Sequence, residues 1–223
     1  MRQQRHSGFS LLELLIAMTI TIVLLGLAST ALSTGFRIRS REERVTDAAA
    51  DVQRALNIMS REIGNAGFNL TTNGIVPGDS DSGSIRIRSN LNKYDPTAST
   101  TSRGGVIDPG EDLKYFVNLA DKTDYLVRYD ANAPTHKTTV LANRIDQLRI
   151  HYFSQKVSYS TSDCDISTAS SSEVSPAAAK YIVIAVCVRI AAVGAPKTTG
   201  YQPASNVLLV SDVTLRNTNL NSY

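Results

Sequence analysis

The sequence predicts an α+β fold, in which one long N-terminal helix packs on an antiparallel β-sheet. Three observations carry this expectation. An apolar run extends from Phe9 to Phe36 with a single charge, Glu13. Apolar residues then recur at helical spacing as far as Ile63. From about residue 68 the chain changes to short β-branched and aromatic segments separated by clusters of Gly, Pro, Ser and Asn. A length of 223 residues suits one domain with a protruding helix.

The apolar run is long enough to span a bilayer as a helix. It differs from a cleaved secretory signal in three ways. It exceeds the usual apolar core of roughly 7–15 residues, no small-residue cleavage site follows it, and the pattern runs on as an amphipathic helix. Glu13 stands out, because a carboxylate in an apolar helix costs about 2–3 kcal/mol or more to insert. It is either a functional group or a charge that snorkels toward the basic leader about one turn away. Gly26 and Gly35 weaken the helix locally. With Ala28, Ser29, Ala31 and Ser33 they offer small surfaces for close helix packing.

In the second half, Val45, Ala48, Ala49, Val52, Leu56, Met59 and Ile63 form an apolar stripe. Arg44, Asp47, Asp51, Arg54 and Arg61 fall mostly off it, toward water. Gly64 and Gly67 are terminators. The expectation is one helix roughly 80 Å long, with two helices broken near Gly35 as the alternative. The expected organisation is a leader over 1–8, a membrane or fibre-core half over 9–36, an amphipathic half over 37–66, and a β-sheet domain over 67–223.

Strands are expected at Ser84–Ser89, Leu113–Leu119, Tyr125–Tyr129, Lys180–Val193 and Val207–Arg216. Ile145, Leu148, Ile150 and Tyr152 read as a short helix or turn leading into a strand. Lys180–Val193 is the clearest strand. Ile182, Ile184, Val186, Val188 and Ile190 share one face, while Val183, Ala185, Cys187 and Arg189 make the other, which is also partly covered. Residues 154–178, rich in Ser and Thr, read as a long exposed loop. Cys164 and Cys187 are the two cysteines. In an exported protein they can form one disulfide, and in the cytosol they stay reduced.

The bulk composition excludes little by itself. Hydrophobic content of 42% and charged content of 19% fit a packed core. The net charge of +3 is too small to point to nucleic acid. Arg86, Arg88, Lys93 and Arg103 are the sole hint of a basic surface, and an ordinary soluble edge strand explains them better. No catalytic constellation is visible: His6, His136 and His151 are scattered, and no nucleophile or phosphate-loop spacing occurs. Asp79-Ser80-Asp81-Ser82-Gly83 begins like a calcium loop but lacks the later bidentate Glu. Asp108, Glu111 and Asp112 form a second acidic turn. The reading is therefore not an enzyme, with no cofactor, no metal and no nucleic-acid partner.

The N-terminus carries the most specific signal. A short basic leader precedes Gly8-Phe9-Ser10-Leu11-Leu12-Glu13-Leu14-Leu15-Ile16-Ala17. This closely resembles the class III signal of type IV pilins and type II secretion pseudopilins. The resemblance implies a pilin-like fold, cleavage by a prepilin peptidase between Gly8 and Phe9, and N-methylation of Phe9. It also implies that Glu13 pairs with the Phe9 amine of a neighbouring subunit, a contact that sets register because breaking it strands a buried charge. Gly8, without a side chain, lets a protease approach the backbone. The implied partners are the peptidase, other pilins and minor pilins through the N-terminal helix, and the inner membrane. The C-terminal domain would be periplasmic before assembly into a pilus at the cell surface.

A looser resemblance covers most of the chain. Arg61-Glu62-Ile63, Ala66-Gly67-Phe68, the stretch Ala142-Asn143-Arg144-Ile145-Asp146-Gln147-Leu148 with Tyr152, the Tyr181–Ile190 strand and Val213-Thr214-Leu215-Arg216-Asn217 resemble PilW-type minor pilins and J-type pseudopilins. It implies a minor pilin that primes or joins a type IV pilus, with a type II secretion pseudopilin or a pilus-tip adhesin as alternatives. Against the implied orientation, Arg37, Arg39, Arg41 and Arg44 after the span outnumber Arg2 and Arg5 before it. Glu42 and Glu43 dilute the larger cluster, and long domains are translocated regardless of flanking charge.

Overall fold

The structure is a computed structural model that describes residues 10–118, 124–168, 172–198 and 200–218. Its first element is a single helix, α1 (Leu11–Gly64), with no break at Gly35. It is followed by β1 (Ser84–Arg88), a short α2 (Thr100–Gly104), β2 (Asp112–Asn118), β3 (Tyr125–Asp130) and β4 (Thr138–Asn143). Then come β5 (Gln147–Phe153), β6 (Tyr159–Ser162), β7 (Asp165–Thr168), β8 (Tyr181–Ile190) and β9 (Ser205–Thr214). Every strand pairing is antiparallel. The α+β arrangement expected from the sequence is the one observed.

The chain forms two compact units. Met1–Glu43 with Ala192–Pro203 make one, and Arg44–Ala191 with Ala204–Tyr223 make the other. In the second unit the strands form a four-stranded sheet of order β1-β2-β3-β4, a three-stranded sheet of order β5-β8-β9, and the β6-β7 hairpin. The two larger sheets meet where the Ile150 N–H donates to the Ser82 carbonyl at 2.9 Å and the Tyr152 hydroxyl donates to the Asp81 carbonyl at 3.0 Å.

The apolar stripe of α1 buries Val52, Ala55, Leu56, Met59 and Ile63. They share one core with Ile85, Ile87, Leu113, Tyr115 and Leu126 of the first sheet and Ile150, Ile182, Ile184 and Val186 of the second. Each large side chain buried there contributes about 1.5–3 kcal/mol of transfer free energy. Arg44, Asp47, Arg54 and Arg61 are exposed, as their places off the stripe require. After Gly64 the backbone folds tightly back. Gly67 and Gly74 both have positive φ, and a Cβ on Gly74 would stand 2.0 Å from the Gly67 nitrogen. Only glycine allows that approach, which lets β1 take the Gly67 N–H on the Arg88 carbonyl at 2.9 Å.

Of the two readings of residues 145–152, a helix or a turn leading into a strand, the second is observed: a bend at Arg144 leads into β5, which starts at Gln147 and pairs with β8 in full register. One expectation needs correction. Residues 154–178 are not one exposed loop. They fold into β6 and β7, and Val157 and Ile166 join Phe153, Tyr181, Val183 and Ala185 in a second buried cluster. This hairpin is what covers the outer face of β8, and a disulfide fastens it there, joining Cys164 to Cys187 with Cα atoms 5.3 Å apart. Strand β4 has no counterpart among the strands expected from the sequence. It is an edge strand whose first three residues are exposed, so it lacks the apolar alternation that marks a half-buried strand.

Candidate functional site

The N-terminal part of α1 is the first candidate. An 18-residue stretch of α1 is long and apolar enough to cross a membrane, and none of it is buried. Leu11, Leu12, Leu14, Leu15, Ile16 and Met18 all face outward, with Leu11 81% exposed. Four threonine hydroxyls on and just beyond this stretch are satisfied by the helix itself. Thr19 donates to the Ile16 carbonyl at 2.8 Å, Thr21 to Ala17 at 2.7 Å, Thr30 to Leu27 at 2.8 Å and Thr34 to Thr30 at 3.0 Å. A polar group so satisfied carries little penalty in an apolar medium.

Glu13 lies in the first turn of α1, where the helix dipole favours an anion. Among the described residues its carboxylate has no partner, which leaves it able to accept a cation from outside the chain. Gly8 and Phe9 lie outside the described residues.

At the other end of the same unit two of the arginines are committed. Arg39 Nε pairs with Glu43 at 3.0 Å. The Arg41 guanidinium donates to the Gln202 side chain at 3.1 Å and to the Pro203 carbonyl. The second arginine cluster is thus partly neutralised and partly tied into the fold.

The loops that could hold chemistry are occupied with structural work. Asp79 receives Arg86 at 2.6 Å and Lys114 at 3.1 Å, and these hydrogen bonds hold its carboxyl below the usual range. Asp81 Oδ1 caps its own turn, accepting from the Gly83 and Ser84 N–H groups at 2.7 Å each. Burial pushes the Asp112 carboxyl up, but hydrogen bonds from Arg86 (2.7 Å) and Arg88 (2.8 Å) outweigh it, and the net shift is downward. Arg86 and Arg88 are therefore partnered by carboxylates. The Glu111 carboxylate accepts the N–H groups of Leu91, Asn92, Ile107 and Asp108, which pins the loop between β1 and β2. Among the described residues no group of His, Cys, Asp and Glu could hold a metal.

His151, on β5, has both ring nitrogens facing carboxylates: Nε2 at 2.7 Å from Asp165 and Nδ1 at 2.8 Å from Glu173. It links β5 to Asp165 of the covering hairpin and to Glu173 beyond it. Sequence reasoning missed the polar cluster under the end of α1. Glu62 accepts the hydroxyl of fully buried Tyr115 and the Nε of Arg128 at 2.9 Å. Its only sequence signal is a Glu beside the apolar stripe, next to Ile63.

The decisive observation is again at the N-terminus. Residues 3–29 match the prokaryotic N-terminal methylation motif. That motif is a type IV pilin-like prepilin signal and indicates a type IV pilin-like or pseudopilin protein. It is a structural, pilin-type motif, and it implies processing by prepilin peptidase and pilin assembly. Together with the exposed apolar helix it points to membrane anchoring. No curated protein and no solved structure matches the chain.

Proposed function

We propose that this chain is a minor pilin of the PilW type, a structural subunit without enzymatic activity that primes or joins a type IV pilus. The carrying observation is that the methylation motif overlaps the start of a helix whose candidate membrane stretch is exposed and whose amphipathic part shares its core with a folded β-sheet domain. In this reading prepilin peptidase cuts between Gly8 and Phe9 and methylates the Phe9 amine. The leader is residues 1–8, and residues 9–36 form the membrane or fibre-core half of the helix. The amphipathic half follows over 37–66, and residues 67–223 are the periplasmic and later surface-exposed domain. Glu13 accepts the Phe9 amine of a neighbouring subunit, and the helices bundle around that contact.

A disulfide between Cys164 and Cys187 fits an exported domain, since such bonds persist in oxidising compartments. The Arg39–Glu43 pair and the engagement of Arg41 support translocation of the C-terminal side despite the arginine count.

The test is mass spectrometry of fibres sheared from cells. Peptides beyond Val45 together with an N-methylated Phe9 terminus are the expected result. The processed chain confined to the membrane fraction, alongside a secretion system, would replace this reading by a J-type pseudopilin. Normal piliation with lost attachment on deletion would replace it by a tip adhesin.

A further inference from the structure

The connection between β8 and β9 is a strap lying on α1 within the first unit. Val193 and Gln202 bridge in antiparallel fashion, each N–H donating to the other's carbonyl at 2.9 Å, so the strap is a narrow hairpin. Its base is tied to Arg41 through Gln202 and Pro203. Its tip meets α1 at Thr34. Gly200 has φ +81°, and a Cβ added there would stand 2.7 Å from the Thr34 methyl carbon. From Arg41 to Thr34 the helix rises about 10 Å, at 1.5 Å per residue. The strap therefore runs back along α1 and brings Gly200 level with Thr34, at the end of the apolar run.

The helix and the strap each carry a cation close in sequence to these contacts. Arg37 follows the apolar run directly, and Lys197 lies on the tip of the strap; both are exposed. Among the described residues neither has an ion-pair or hydrogen-bond partner, in contrast to Arg39 and Arg41. Tyr201, half-buried on the same tip, is a residue type that favours the membrane–water boundary. About 20 helical residues cross the hydrocarbon of a bilayer. Counted from Glu13, they end near Thr34.

We propose that Arg37 and the strap tip carrying Lys197 form a binding surface for the phosphate headgroups of anionic phospholipid, in the leaflet facing the C-terminal domain. The inference rests on the membrane reading above. The guanidinium fork of Arg37 suits a phosphate, and Lys197 adds a compact charge on the strap that is held to the same stretch of helix. The contact fixes how deep α1 lies, because the strap is clasped to the helix at both its base and its tip. Leaving the bilayer for a fibre then requires release of those headgroups.

The test places the full chain in phosphatidylcholine nanodiscs and measures, by electron paramagnetic resonance, its preference for spin-labelled phosphatidylglycerol over spin-labelled phosphatidylcholine. One basic side chain at an anionic surface is worth a factor of about five. The R37Q/K197Q variant is expected to lower the preference at least about fivefold relative to wild type. An R54Q/R61Q variant, with the same loss of net charge, should change it less than about twofold, since surface charges distant from the headgroups are screened. Arg2 and Arg5 are present in all three proteins and cancel. An unchanged preference in R37Q/K197Q, or an equal fall in both variants, overturns the proposal. Failure of the wild-type chain to float with neutral phosphatidylcholine vesicles would instead overturn the membrane reading on which it rests.

Discussion

Removing the Cys164–Cys187 bond should cost the folded domain a measurable and calculable share of its stability. The two residues are 23 positions apart. The loop-closure entropy withheld from the unfolded chain by a cross-link of that span corresponds to about 3.4 kcal/mol at 25 °C. For a chain of this size each kcal/mol shifts the midpoint by about 2–4 °C, so Tm should fall by about 7–14 °C. The hairpin it fastens has few other anchors, because β6 and β7 are four residues each and an isolated two-stranded hairpin is marginal in water. Its apolar hold on β8 comes from Val157 and Ile166, with His151 clamping Asp165 and Glu173. Cys187 is fully buried, so the suitable variant is C164A/C187A rather than serine, which would bury an unpaired hydroxyl. Thermal unfolding of the full chain in detergent, followed by near-ultraviolet circular dichroism with and without reductant, reads the shift. Hydrogen exchange should show the covered amides around Val183 and Ala185 becoming accessible in the variant. A Tm within about 2 °C of wild type would refute the cross-link as a stabilising element and return residues 154–178 to the status of a loose loop.

Further outcomes follow, those at Glu62 and Asp112 from the geometry and those at Glu13 and Gly8 from the proposed function. Glu62→Ala strands the Tyr115 hydroxyl and Arg128 beneath α1 and should cost about 2–4 kcal/mol, while Glu62→Gln, which keeps an acceptor, should cost less. Urea midpoints would measure both, and a cost below about 0.5 kcal/mol for Glu62→Ala would show that the cluster is solvated rather than structural. Asp112 has a folded-state pKa below its ordinary value of 3.8. Its contribution is therefore present above about pH 4 and lost as pH falls through the lower folded value. Asp112→Asn should narrow the stability difference between pH 5 and pH 2.5, and an unchanged acid limb in urea titrations would remove Asp112 as its source. Glu13→Ala should leave cleavage intact yet keep the chain in the membrane fraction, whereas Gly8→Leu should leave it uncut. Normal fibre incorporation of Glu13→Ala on immunoblots of sheared fibres would end the register role of that carboxylate.

The sequence by itself determined the helix and its two characters. The apolar run, the lone Glu13, the stripe from Val45 to Ile63 and the alternation over Tyr181–Ile190 are local patterns set by the 3.6- and 2-residue periods, so they survive without knowledge of any partner. The methylation signal is equally local, a contiguous string around Gly8 and Phe9. The tertiary structure decided what depends on distant pairs. Strand β4 exists because β3 offers it a partner, not because its residues alternate. The Ser-rich segment becomes a hairpin because Cys164 meets Cys187 and Ile166 meets the outer face of β8. Glu62 finds Tyr115 and Arg128, 53 and 66 residues away, and Gly200 finds Thr34. Such contacts are fixed by chain closure and packing in three dimensions, and no periodicity along the chain encodes them.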